Sequence, residues 1–518
     1  MAIKRYLASA DATIVNAFKQ DLSTRGTGSN TGLSDVLEIF SIYGQASGAS
    51  GYSQELARSL LKFPMATIAA DRTAGVIPAS GSVSFYLKLF NTEHNETIPR
   101  NFALTAAAVS ADWEEGTGLD LTEYRDETFD GAGVNWVNAK RGSQWTTPGG
   151  DYFTDSKSVF HIDFESGIED IEVDITTLAE QWINSPGNVL GSKTNYGIGL
   201  RLTGSQEAYA ASSIANAVVQ NLTGATESYY TKKFFARGSE FFFKRPVLEA
   251  RWDSSVKDDR GNAYFSASYA PAAENLNTLY LYNYVRGRLR NIPSINTGEI
   301  WVSLYSGSSD DTAPSGSKLE LPIGGGVAAN LDTNIIGGWI STGVYTASFA
   351  VTGSPSSIST LYDVWHYNSV EYKTGSFSIQ SFDNYEIAPT DKYVMNITNL
   401  KQVYSKDETA RFRLFVRRKD WCPTIYTKAR LSPPVQIVPS ASYKILRVVD
   451  NYEVVAYGTG SDLHTKLSYD LSGSYFDFDM SMLEKDFSYG IKFSFYNDSI
   501  GSWEEQPFIF KFRVDDEI

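Results

Sequence analysis

The 518-residue chain holds a single cysteine, Cys422. That excludes an internal disulfide framework and a cysteine-based metal cluster, so stability has to come from packed cores. Flanked by Trp421 and Pro423, Cys422 itself reads as a packing residue. Histidine is almost as scarce. His94, His161, His366 and His464 lie in unrelated segments. None stands at His-x-x-x-His spacing, which argues against a zinc site. His161, inside the run VFHIDF, reads as a strand residue with a satisfied ring. Long apolar runs are missing, and nothing approaches the roughly 18 residues a spanning helix requires. The opening MAIKRYLASADATI has basic residues but no apolar run behind them, so no secretory signal is expected. Positive charge is in deficit, 45 Lys and Arg against 60 Asp and Glu, for a net charge of −15. An acidic surface argues against binding a phosphate backbone. No nucleophile elbow, phosphate loop or dinucleotide fingerprint occurs; the glycine triplet at 324–326 lacks a following Lys-Ser/Thr and reads as a turn.

Aromatic residues are plentiful, with 31 Tyr, 29 Phe and 10 Trp, and these favour strands. The stretch 111–152, ADWEEGTGLDLTEYRDETFDGAGVNWVNAKRGSQWTTPGGDY, organises the N-terminal half. It has too many Gly, Asp and Asn breakers for a helix and too many large aromatics for a disordered linker. It reads as an ordered crossing loop pinned to a sheet by Trp113, Trp136 and Trp145. Before it, 37–43, 57–63, 83–90 and 101–110 read as strands, with Val83, Phe85, Leu87 and Leu89 on one face. After it, 159–164, 195–202 and 229–252 supply more strands. A short helix is predicted at 176–183, with Asp174 as N-cap and a stop at Asn184, Pro186 and Gly187. The alanine-rich 205–221 is a second helix candidate.

The fold class expected is all-β, a tandem of antiparallel β-sandwiches: a jelly-roll-like unit over 1–252, an Ig-like unit over 253–390 and a C-terminal Ig-like unit over 391–518. The clearest alternation is ARFRLFVR at 410–417. It puts Phe412, Leu414 and Val416 on one side and Arg411, Arg413, Phe415 and Arg417 on the other.

In the first half, ARSLLKF, FYLKLF, WEEGTG with a downstream NW…W…GG, DITTL…W, NYGIGL and RPVLE follow in order. That succession resembles the DNRLRE β-sandwich domain, which occurs in secreted adhesive proteins and in tail or other structural proteins of bacteriophages. The C-terminal succession MNITNLKQVYSKDETARFRLFVRRKDWCPTIYTK, then YDLSGSYFDFDMSML and YGIKFSFY, resembles large structural proteins predicted in marine bacteriophages. The resemblance implies a non-enzymatic virion component at the neck, tail, baseplate or fibre attachment. It further implies assembly in the host cytoplasm, other virion proteins as partners and several symmetric copies, with no membrane and no nucleic-acid partner.

Three groups of residues could carry chemistry. The carboxylates Asp112, Glu114, Glu115, Asp120, Glu123 and Asp126 crowd one loop. Acid–base hydrolysis would need two of them about 5 Å apart. The plainer reading is a solvated acidic loop, with Ca²⁺ as the ion its oxygens would hold, and no other cofactor is expected. Trp113, Trp136 and Trp145 either stack on host-surface sugars, as in a receptor-binding adhesin, or anchor their loop. Basic islands at Lys232, Lys233, Arg237, Lys244, Arg245 and Arg251, and at Arg411, Arg413, Arg417, Arg418 and Lys419, are candidate docking patches.

Overall fold

The structure is a computed structural model. It describes residues 2–19, 21–43, 54–93, 98–119, 133–267, 275–307, 316, 318–319, 321–322, 331–351, 358–381, 392–422, 424–425, 435–498 and 500–516. His94, Asp120, Glu123, Asp126 and the glycine triplet 324–326 lie outside those residues. The chain is all-β in tandem sandwiches. It divides into two compact units: Ala2–Asp253 with Gly460–His464, and Ser254–Thr459 with Thr465–Ile518.

The first unit is a rolled long hairpin. Eight of its strands nest in pairs. Ile3–Leu7 pairs with Val247–Arg251, Gln54–Lys62 with Ile198–Leu202, Ser84–Leu89 with Ile171–Asp174, and Phe102–Ala108 with Val159–Phe164. First meets eighth, second seventh, third sixth and fourth fifth, which is the jelly-roll order. Val36–Tyr43 and Tyr229–Phe235 extend the larger sheet at one edge. Alternation sets the faces. Phe85, Leu87 and Leu89 are fully buried, while Ser84, Tyr86 and Lys88 turn outward.

Two short helices cap this unit. Thr176–Ile183 forms where predicted. Its cap position falls at Ile175, one residue after the predicted Asp174, whose carboxylate nonetheless accepts from the Thr176 N–H at 2.8 Å and from its hydroxyl at 2.5 Å. Asn184 stops it in the left-handed region at φ 46°. Helix Met65–Thr73 was not anticipated. It starts directly after Pro64, buries Met65 and Ile68, and places Arg72 in its last turn, where a cation suits the helix dipole. Arg72 grips Glu180 of the other helix in a fork at 2.6 and 2.7 Å. The second expected helix, over 205–221, does not form. Bridges Ala208–Ala225, Ala210–Asn221 and Ile214–Val218 fold it into turns. Its carbonyls are taken by side chains of the first half, Gln54 on Ala208 and Asn16 on Ala217, each at 2.8 Å.

The second unit holds two sheet systems. One runs, edge to edge, Ala263–Tyr264, Val370–Gln380, Thr360–Tyr367, Ile300–Gly307, Ile335–Ser341, Val344–Phe349 and Asn277–Tyr282. It wraps Leu279, Ile300, Val302, Leu304, Tyr345, Leu361 and Trp365. The other packs Tyr393–Ile397, Thr409–Arg418, Gly473–Asp479 and Ser468–Asp470 against Val403–Ser405, Phe510–Asp515, Ser488–Asn497, Ala441–Arg447 and Glu453–Val455. In each, a short early strand runs parallel to the last one, Ala263 beside Ile379 and Val403 beside Arg513, while the other named pairings are antiparallel. Phe412, Leu414 and Val416 fill the core, and Tyr443 stacks on Phe476 at 4.0 Å, which stacks in turn on Phe412 at 5.1 Å. Cys422 is exposed, so it does not pack as expected.

The outer face of the smaller jelly-roll sheet carries a buried charge lattice. Glu249 accepts from Arg5 at 2.5 Å and from Arg251 at 2.6 Å, with Lys88 at 4.0 Å. Arg251 also reaches Glu172 at 2.8 Å and Asp462 at 2.7 Å. Burial alone would raise the Glu249 pKa, but Arg5, Lys88 and Arg251 overcome it and hold the carboxyl well below its usual range. The stability this gives is present above the unfolded carboxylate pKa and is lost as pH falls through the folded one. Glu249→Ala should lower stability at pH 7 by about 3–5 kcal/mol, because it removes the buried carboxylate shared by Arg5 and Arg251. Urea unfolding checks this, and a loss under about 1 kcal/mol would show that the lattice is solvated.

Candidate functional site

In the described parts of the crossing loop, 111–119 and 133–152, one side chain ties the two limbs together. Asn30 is fully buried. Its Nδ2 donates to the carbonyls of Glu115 and Val134, both at 2.8 Å, and its Oδ1 accepts from Gly118 N at 2.8 Å and Gly32 N at 3.2 Å. One amide thus satisfies three backbone groups on the two limbs of the loop and a fourth, Gly32 N, in its own segment. The backbones must come close for this. A Cβ at Gly118 would lie 1.9 Å from the Asn30 carbonyl oxygen, and one at Gly116 2.4 Å from its Oδ1.

The three tryptophans lie inside this packing. Trp113, Trp136 and Trp145 are 3%, 0% and 5% exposed and share a cluster with Ala12, Ile14, Leu56, Leu60 and Val109. The Trp113 indole donates to Tyr196 O at 2.7 Å and the Trp145 indole to Asn135 O at 2.9 Å. Lys62 sits over the Trp113 ring at 4.6 Å and Arg58 over Trp136 at 5.3 Å. Arg58, itself buried, forks onto Glu207 at 3.0 and 2.9 Å and donates to Gly149 O at 2.9 Å. With their faces enclosed, these rings hold the loop and offer no platform to a sugar; the sugar-stacking expectation fails for these three residues.

The described carboxylates of the loop do not converge. Asp112 is ion-paired to Lys62 and Lys140, each at 3.1 Å. Glu115 takes Arg237 in a fork at 2.9 and 2.9 Å and accepts from Asp11 N at 2.8 Å. Glu114 is exposed. Among the described residues, no group of three or more His, Cys, Asp or Glu could hold a metal ion.

The basic islands are largely engaged within the chain. Lys232 is buried among Asn91 Oδ1, Gly167 O and Glu169 O at 2.7, 2.9 and 2.8 Å, and burial pulls its pKa down to about 8. Arg251 lies in the Glu249 lattice, so neither residue is a docking group. Lys233 pairs with Glu38 at 2.5 Å and Arg245 donates to Ser239 O at 2.8 Å. Lys244 lies over Phe90 at 5.1 Å. In the C-terminal island, Arg411 forks onto Asp477 at 2.7 and 2.9 Å and Arg413 reaches Asp470 at 2.9 Å, both flanking the Tyr475 ring. Arg417 and Arg418 are half-buried at the strand end, with Arg417 5.9 Å over Trp421, and Lys419 beyond them is exposed. His161 is an exposed strand residue.

Asn30, Arg58, Glu207 and Glu249 were not singled out by sequence. Their partners lie up to 244 residues away, so no local pattern marks them. The closest available hint for Asn30 was the run of glycines at 116, 118 and 133, which signals a close backbone approach without naming what approaches.

No protein-family model matches the chain, and no curated protein matches it. Among solved structures, it aligns with the N-terminal Ig1-2 module of the Drosophila receptor protein tyrosine phosphatase DLAR. That alignment has 7% identity, covers 47% of this chain and 92% of that one, and has a TM-score of 0.15. At that score the likeness carries no argument.

Two outcomes follow. Asn30→Ala strands several buried backbone groups and should cost about 3 kcal/mol; a urea midpoint unchanged from the parent would remove Asn30 from its holding role. The second concerns Asp11. Burial pushes its carboxyl up to about 6, against the Arg237 N–H that it accepts at 2.5 Å. The folded chain therefore binds this proton more tightly than the unfolded chain does. The group disfavours folding above pH 6, and the penalty fades as pH falls toward 4. Asp11→Asn should stabilise the fold at pH 7.5 by up to about 3 kcal/mol and flatten stability between pH 4 and 7. Parallel pH profiles for parent and variant would sink it.

Proposed function

We propose that this chain is a non-enzymatic structural component of a tailed-bacteriophage virion, placed at the neck, tail, baseplate or fibre attachment and docked on other virion proteins. The resemblance of the ordered motifs to the DNRLRE domain and to structural proteins of marine phages supports this reading. The observation that carries it is how charge is arranged. In the jelly-roll unit and in the first Ig-like sheet system, buried ions meet partners far away in sequence: Glu249 with Arg5, Arg58 with Glu207, and Arg260 with Asp363. Such links leave stiff bricks, because moving one strand breaks forked bonds held at low dielectric. Stiff sandwiches act by presenting shape, and repetition around a symmetric ring raises the effective concentration at each contact. Lys419, exposed at the strand end beside the half-buried Arg417 and Arg418, is placed to meet an acidic neighbour.

Quantitative mass spectrometry of density-purified particles decides the matter. The chain is expected there at a fixed stoichiometry to the tail proteins, in a multiple set by particle symmetry. Recovery only from the soluble host fraction, with none in particles, overturns the reading.

A further inference from the structure

Trp503 is the most exposed of the ten tryptophans, at 52%, and it stands on the strand Ser502–Glu505 of the C-terminal sandwich. Its ring meets Tyr496 directly across the ladder, 5.6 Å between centroids and inclined at 63°, with the two Cα atoms in register. Period two fixes what shares that face. Glu505, two residues on, lies opposite Ser494; Lys492 precedes Ser494 by two; and Lys492 lies opposite Lys444. The core residues Phe493, Phe495 and Tyr443 point the other way and are buried. This side of the sheet therefore carries an open indole at one end and a polar group at the other, with the small residues Ser494 and Ser442 buried between them.

That polar end is already ordered. Glu505 accepts from Lys492, pairs with Lys444 at 2.8 Å and accepts from the Tyr457 hydroxyl at 3.3 Å. Lys444 also reaches Glu453 at 3.0 Å and lies 5.1 Å over the Tyr457 ring. Partial burial would raise the Glu505 pKa, but its bonds to the two lysines bring it down to about 2, so it stays an acceptor across the physiological range. Two lysines and two glutamates cancel, which leaves a face of donors and acceptors with no net charge. A flat exposed ring beside fixed, mutually neutralised hydrogen-bonding groups suits a ligand with an apolar C–H face and a rim of hydroxyls. A charged ligand would find no excess charge to meet, and a purely apolar one would bury the ions unsatisfied.

We propose that this face binds a neutral hexopyranose, with Trp503 and Tyr496 packing on the sugar's C–H face and Glu505, Lys492, Lys444 and Tyr457 bonding its hydroxyls. The site is separate from Trp113, Trp136 and Trp145, which are enclosed, and it stands apart from the virion reading. A particle protein that binds no sugar fails only here, and a sugar-binding chain missing from particles fails only there.

The test uses the full chain on a printed array of neutral and anionic oligosaccharides, followed by tryptophan-fluorescence titration with the methyl glycosides of glucose, galactose, mannose and N-acetylglucosamine. At least one neutral sugar should be retained. Trp503→Ala should weaken it tenfold or more, Trp503→Phe should keep part of the affinity, and Trp339→Ala, half-exposed on the other Ig-like sheet system, should leave it unchanged. Circular dichroism of each variant guards against misfolding; should Trp503→Ala unfold, Glu505→Gln supplies the same comparison. The proposal is overturned by retention of no neutral sugar, by retention of anionic sugars alone, by unchanged affinity in Trp503→Ala, or by equal loss in Trp339→Ala.

Discussion

Every sheet here turns alternate side chains to the same side, and the molecule's design follows from what must then be done with the second face. In this aromatic-rich chain one face of each strand is taken by Phe, Tyr, Leu, Ile and Val, and burial of each large ring contributes about 1.5–3 kcal/mol. The other face carries Lys, Arg, Asp and Glu, and wherever a loop or an extra segment covers it those charges are buried too. A buried ion is tolerable only when paired and hydrogen-bonded. The Glu249 lattice meets that condition on the smaller jelly-roll sheet, with Asp462 of the short segment Gly460–His464 among its partners. The Arg260–Asp363 fork meets it in the first Ig-like sheet system, where the Trp365 indole also donates to Asp363 at 2.7 Å.

The crossing loop solves a related difficulty. A long connection over a sheet carries many backbone polar groups with no ladder to join. Asn30 supplies partners for three of them, and the tryptophans supply the apolar area that keeps the loop down. The two devices depend on each other. Asn30 can reach both limbs only if glycines let the backbones close, and the indoles can enter the core only if the limbs between them are satisfied.

The same pairing logic explains why runs rich in Lys and Arg are weak indicators of docking. Lys232 and Arg251 each belong to a basic cluster by sequence, yet both lie buried against oxygens of distant segments. Arg417 to Lys419 sit at a strand end, and around Glu505 opposite signs meet on an outer face.

Strand periodicity settled much of this protein in advance. The alternation in VSFYLKLF and ARFRLFVR marked core faces, because a strand's side-chain period is a local property. The all-β class followed from aromatic content and frequent turn residues. The helix Thr176–Ile183 was legible from its stop at Asn184, since a left-handed Asn is a local event as well. The helix Met65–Thr73 was not legible: its short alanine-containing run has no strong period, and it is held by the Arg72–Glu180 fork across 108 residues. The alanine-rich 205–221 misled for the converse reason, as side chains of Asn16 and Gln54 took carbonyls a helix would have used. Which tryptophans are enclosed and which is open, and which arginines are paired, were decided by tertiary structure alone. Exposure and ion pairing depend on what other strands bring alongside, and those neighbours are fixed by nesting first strand with eighth, a contact that no window of sequence contains.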